Sequence, residues 1–148
     1  MYLKLIYRMS YEQGNNFHQK CDNQGPTLSI FKIQVQQNSQ NIRCIFGGYN
    51  FLYRDSSNST KDYKSAFIFS VTHKKIFPTN NPQNSIVCCK EFCPSFGYQN
   101  DIIELCTSGY KGYYNSTDTF GDINRVCTNG QKEFIILDLE VYKYYLIN

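Results

Sequence analysis

His18 and Cys21 stand three residues apart, a spacing that puts two side chains on one face of a helix. A thiolate beside an imidazole makes a nucleophile. Such a pair needs a third group to orient the ring, and no such group is evident in the sequence. A surface histidine next to a small buried thiol satisfies the same spacing. Cys88, Cys89 and Cys93 resemble half of a zinc site. A structural site takes four ligands, usually as paired short spacings. The next cysteine is Cys106, and His18 and His73 lie far off, so no metal or cofactor is expected. Asp101, Glu104, Asp138 and Glu140 could supply paired carboxylates for acid–base work, but strand-end caps and a solvated face are the plainer roles. Gly47-Gly48 lacks the Lys-Ser/Thr partner of a phosphate loop. The expectation is a protein that is not an enzyme.

The elements that position these residues belong to a single domain spanning 1–148. A chain of this length buries about 70% of its unfolded surface, enough for one core. The net charge of +3 comes from 15 Lys and Arg against 12 Asp and Glu. The cations are scattered, so no nucleic-acid footprint stands out. Lys4 and Arg8 interrupt the first apolar run and argue against a secretory signal. No stretch approaches the roughly 18 apolar residues of a membrane span, so membrane insertion is not expected. Seven cysteines at irregular spacing favour reduced thiols in a cytoplasmic compartment.

The local rule changes between Phe17 and Lys32. Phe17, Lys20 and Cys21 sit at helical spacing, with Asn15 or Asn16 as the cap. Asn23-Gln24-Gly25-Pro26 stops the helix, and Gly25 is expected to supply φ > 0. Alternation then starts at Thr27, with Leu28 and Ile30 on one face and Ser29 and Phe31 on the other. Before this, Tyr2 to Met9 reads as a strand with Leu3, Leu5 and Tyr7 on one face, and Ser10 to Gly14 as a turn. After it come a strand over Arg43–Phe46 ending in Gly47-Gly48-Tyr49 and a polar loop over Arg54–Lys64. A central strand follows over Ala66–Val71, then short strands near Ile76, Ser85–Cys89 and Asp101–Cys106. Glu133 to Tyr144 is the longest strand, with Ile136, Asp138, Glu140 and Tyr142 on one face and Ile135, Leu137, Leu139 and Val141 on the other. About eight short strands and one helix imply a mostly β protein with minor α: a two-sheet antiparallel β-sandwich with short flanking helices.

Tyr142, Tyr144, Tyr145, Leu146 and Ile147 continue directly from the longest strand. A run this aromatic either completes the core or docks on a partner, since Tyr offers large contact area and a polar tip.

The ordered motifs resemble the TLDc domain family, which includes the oxidation resistance proteins. They are Leu5-Ile6-Tyr7-Arg8; Phe17-His18 with Cys21-Asp22-Asn23-Gln24-Gly25-Pro26-Thr27-Leu28; and Ile45-Phe46-Gly47-Gly48-Tyr49. Asp55-Ser56-Ser57, Ala66-Phe67-Ile68-Phe69-Ser70 and Asn81-Pro82 follow. Phe96-Gly97 with Asp101-Ile102 and Leu139-Glu140-Val141-Tyr142 complete the set, which covers nearly the whole chain. The resemblance implies the same sandwich fold, with these motif residues in structural roles and no accepted catalytic set. It also implies a module that binds protein, with candidate partners among the subunits of the vacuolar-type proton-pumping ATPase, and a link to oxidative-stress resistance. Two departures from the family pattern are visible. Most of the helical segment that usually precedes the first strand is missing, and Arg54 stands where a Trp commonly follows the Gly-Gly-Tyr motif.

The leading expectation is therefore a cytoplasmic, non-enzymatic interaction module acting on the proton pump. The alternative is a constitutive structural subunit of a large cytoskeletal or ciliary assembly, bound to filament proteins. A thiol-based redox protein or enzyme is the third.

Overall fold

Strand-forming alternation and turn residues at the predicted breaks give a chain made mostly of short antiparallel strands. The computed structural model describes residues 1–12, 16–97, 102–104, 111–114 and 119–146. Tyr2–Arg8 is β1, Met9–Glu12 is α1 and Phe17–Cys21 is α2. Thr27–Gln37 (β2) and Gln40–Asn50 (β3) form a long hairpin. Ser59–Lys61 is β4, Phe67–Ser70 β5, Lys75–Pro78 β6, Ile86–Cys88 β7 and Ser95–Phe96 β8. Ile102–Glu104 (β9), Lys111–Tyr114 (β10), Asn124–Cys127 (α3) and Glu133–Tyr145 (β11) complete the described elements.

The two antiparallel sheets of the sandwich are joined by continuous hydrogen bonding. The path runs β4-β7-β8-β9-β10-β11-β2-β3-β5-β6, with β1 paired to β11. It curls so that β8 comes to face β3, where the Phe96 ring meets Gly48. Between the layers lie Phe31, Ile33, Phe46, Ile68 and Leu139, all fully buried. Each contributes about 1.5–3 kcal/mol by leaving water. The expected two-sheet sandwich is thus the observed fold. No helix among the described residues is long and apolar enough to cross a membrane.

Several local expectations are corrected. Gly47 and Gly48 lie inside β3 and do not end it. The β2–β3 turn is Asn38-Ser39, with φ of 49° and 62°, the left-handed pair required by a type I′ hairpin. Met9–Glu12 is helical where a turn was expected. Asn16 stands at the N-cap of α2, but its side chain makes no capping bond and donates to Glu12 instead. Asn15 lies outside the described residues, as do Asp101, Cys106 and Ile147. The polar loop contains β4, a strand too hydrophilic for periodicity to reveal.

The expected faces of β11 are also corrected. Ile136 pairs with Ile33 and Asp138 with Lys32, so Leu137 is the extra residue of a bulge. The bulge reverses the phase of alternation. Ile136, Leu139 and Val141 are buried, whereas Ile135 and Leu137 are exposed. A second irregularity, between Leu5 and Tyr7, separates the exposed Leu3 and Leu5 from the buried Tyr7.

Candidate functional site

The sequence Cys21 to Thr27 builds one corner of the sandwich. Helix α2 stops at Asp22, and Asn23 takes φ of 60°, a conformation that Asn tolerates better than most side chains. Its N–H donates to Arg54 O at 2.7 Å. The φ > 0 expected of Gly25 therefore falls on Asn23, and Gly25 is needed for a different reason. A Cβ on Gly25 would lie 2.8 Å from Tyr53 N and 2.9 Å from Phe51 O, so two main-chain segments meet there. The Gly25-Pro26 peptide is cis. Pro26 O accepts from Tyr144 N at 3.0 Å, tying the corner to β11. Thr27, fully buried, pairs with Asn50.

The adjacent glycines of β3 serve opposite faces. A Cβ on Gly48 would stand 2.3 Å from the Phe96 ring in the core. One on Gly47 would stand 2.3 Å from both the Phe69 ring and Ser29 O. Arg54 is only 5% exposed. Its guanidinium donates to Val87 O and Ser95 O at 2.8 Å each and lies 4.6 Å over the Phe96 ring. A flat cation so occupies a position where an aromatic ring would pack. Gly97, with φ of 89°, donates its N–H to Ser85 O at 2.9 Å.

The paired β1 and β11 bring Arg8 to the acids. Arg8 Nε donates to Asp138 Oδ2 at 2.9 Å and lies 3.3 Å from Glu140 Oε1. Ser10 donates to Asp138 through both N–H and hydroxyl. Burial works against the Asp138 charge, but the bonds from Arg8 and Ser10 outweigh it and hold its pKa below the ordinary carboxyl value. Tyr142 donates to Glu140 at 2.8 Å, which raises the phenol's pKa. These carboxylates are committed to an arginine, a serine and a tyrosine. Glu104 lies in β9 and Asp101 outside the described residues.

His18 does not activate Cys21. Its Nδ1 lies 3.0 Å from Asp22 Oδ1 and 3.2 Å from Ser56 Oγ, and Ser56 donates to the other Asp22 oxygen. Serine, histidine and aspartate are together, but serine bonds directly to the acid. The Nε2 that a catalytic triad would aim at its nucleophile is buried without a hydrogen-bond partner among the described residues. Burial pushes the Cys21 thiol up to about 12, against the opposing pull of Arg54. Burial likewise raises Cys127 to about 12. Both are thiols, not thiolates, at neutral pH. Cys21, Cys44, Cys88, Cys89 and Cys127 are free, but Cys93 is disulfide-bonded, which corrects the expectation of reduced thiols throughout. A shallow groove of about 250 Å³ beside the corner is lined by Asn23, Gly25, Pro26, Phe51, Leu52 and Tyr53, with no carboxylate, imidazole or thiol.

Four of these contacts join sequence motifs that are distant along the chain: Asp22 with Ser56, Gly48 with Phe96, Gly47 with Phe69 and Arg8 with Glu140. A family model, the TLDc domain, matches residues 2–145. The chain belongs to the TLDc domain family. A comparison with curated proteins gives no match.

The TLDc sheet has a second apolar face. Tyr142, Leu28, Tyr49 and Phe67 are successive cross-strand neighbours on the side away from the core. Tyr49 and Phe67 stack at 5.1 Å. One row along, Ile30, Gly47, Phe69 and Ile76 follow each other. Ile76 is 69% exposed, and the other large side chains of both rows are half-buried. An antiparallel sheet with one face in water alternates apolar and polar residues, and this one does not. The composition of Ala66–Val71, dense enough for a central strand, was the sequence signal for this face.

The C-terminal run divides. Tyr142, Tyr144 and Tyr145 are half-buried within β11, and Tyr145 stacks on Tyr2 at 4.8 Å. Leu146 is 72% exposed.

Proposed function

We propose that this TLDc domain is a non-enzymatic protein–protein interaction module. The observation that carries the proposal is the apolar outer face of β11-β2-β3-β5-β6. Half-exposed Leu28, Ile30, Phe67 and Phe69 cost stability in water unless something covers them. The proposed partner is a subunit of the vacuolar-type proton-pumping ATPase, with a role in oxidative-stress resistance, and the proposed compartment is the cytoplasm.

The test is co-purification from native lysate with wild-type protein and an Ile76→Glu variant. Position 76 is so exposed that the fold tolerates the charge. Capture of pump subunits by wild type alone, at equal melting temperatures, supports the proposal. Capture of filament proteins would instead make the domain a structural subunit of a cytoskeletal or ciliary assembly. Equal capture by both proteins would remove the outer face from the argument.

A further inference from the structure

We infer that the outer face receives an amphipathic helix carrying acidic side chains along one flank. The inference rests on the interaction-module reading and specifies the partner's chemistry.

Shape is the first argument. One apolar row runs Leu5-Tyr142-Leu28-Tyr49-Phe67 across β1, β11, β2, β3 and β5, and the next runs Ile30-Gly47-Phe69-Ile76 across β2, β3, β5 and β6, with Glu140 in line with it on β11. Four inter-strand steps of about 4.8 Å make a stripe about 19 Å long, and rows two residues apart lie about 7 Å from each other. The first row matches in length one helix of about 13 residues at 1.5 Å per residue. Gly47 lets the Phe69 ring lie over the backbone midway along the stripe, so the middle is low.

Charge is the second argument. Beyond the Ile30 row the face carries two cations, with Ile45 and Asp138 as the neighbours of the first. Lys32 pairs with Ile45, and Arg43, exposed, pairs with Gln34. Neither cation has an ion-pair partner among the described residues. The acids on the neighbouring strand, Asp138 and Glu140, are held by Arg8. A helix seated on the stripe thus meets two free cations along this one flank. Acidic side chains there gain attraction and orientation.

The experiment uses the full chain and a fluorescein-labelled synthetic peptide of about 16 residues. The peptide has leucines on one helical face, glutamates along one flank and glutamine elsewhere; a second peptide carries lysines in place of the glutamates. Anisotropy titrations are expected to show saturable binding of the acidic peptide, at least about tenfold tighter than the basic one. Lys32→Glu with Arg43→Glu should reverse that preference, and Ile76→Glu should weaken both peptides. Melting temperatures verify that the variants fold. Equal affinity for the two peptides, or no binding of either, overturns the inference. So does a wild-type dimer in sedimentation that Ile76→Glu converts to monomer, because the occupant is then a second copy. Binding to phosphatidylserine-containing vesicles with neither peptide bound overturns it in favour of a lipid surface. If Ile76→Glu abolishes capture of the native partner while the peptides are not distinguished, the module stands and the acidic helix falls. If capture survives Ile76→Glu, both fall.

Discussion

Replacing Gly48 by alanine should damage the sandwich through one contact. The new Cβ would sit 2.3 Å from the tip of the Phe96 ring, and ordinary contact begins at 3.4 Å, so about 1 Å of retreat is required. The ring has nowhere to go. Phe96 is 1% exposed, Phe120 abuts it edge-on at 6.5 Å, and the Arg54 guanidinium covers its face at 4.6 Å. Overpacking of this kind costs about 1–3 kcal/mol. If the retreat also loosens one of the 2.8 Å bonds from Arg54 to Val87 O and Ser95 O, about 1.5 kcal/mol more is lost. The expected total is about 3 kcal/mol, or a fall of about 6–12 °C in melting temperature for a domain this size. Urea unfolding followed by circular dichroism measures it. The decisive comparison adds Phe96→Leu, which removes the tip of the ring. In the wild-type background Phe96→Leu opens space and destabilises; combined with Gly48→Ala it should be partly compensated, with a coupling of at least about 1 kcal/mol. A Gly48→Ala protein of wild-type stability, or strictly additive effects, would refute the reasoning.

Asn23 holds a left-handed backbone at the end of α2. Asn23→Ala should cost about 1 kcal/mol and Asn23→Gly almost nothing, as read from thermal midpoints; equal losses would place the role of Asn23 in its side chain. The folded-state pKa of Asp138 is depressed, so its ion pair with Arg8 stabilises the fold above the unfolded carboxyl value and that stability is lost as pH falls through the folded value. The difference in urea midpoint between wild type and Asp138→Asn should therefore shrink from pH 7 toward pH 3; a gap that widens on acidification contradicts the assignment. Deleting residues 145–148 removes the Tyr2–Tyr145 stack and the end of the β1–β11 ladder. It should lower the melting temperature by several degrees, as for a loss of about 1–2 kcal/mol; an unchanged midpoint with lost partner capture would make the tail a docking segment.

The fold was legible in the sequence wherever period-two patterning met a clear punctuation mark, as at Gly25-Pro26 before β2. It was not legible where the backbone departs from regular pairing. The extra residue at Leu137 has no signature in residue type, yet it decides which side chains of the far half of β11 face the core. Asn23 and Gly25 lie two residues apart in a motif that announces a helix stop. Which one needs left-handed geometry depends on Arg54 and the 51–53 main chain, far along the sequence. The candidate chemistry failed for a similar reason. The spacing of His18 and Cys21 was correct, but the ring turns to Asp22 and Ser56, and only the fold brings Ser56 there. The outer face was written in the sequence as strands apolar at both parities. That pattern shows that both sides want covering, but it does not name the cover.

The bulge at Leu137 gives β11 one residue of slack. Deleting Leu137 would leave Ile136 opposite Ile33 and Asp138 opposite Lys32, now as consecutive residues of a regular strand, so Leu139 and Val141 would keep their inward face. Arg8 would keep its carboxylates too, because β1 takes its register from the far half of β11. A second deletion in the same stretch would have no extra residue to absorb it and would turn the far half inside out. A lineage carrying this fold can lose one residue at this point of β11, but not two.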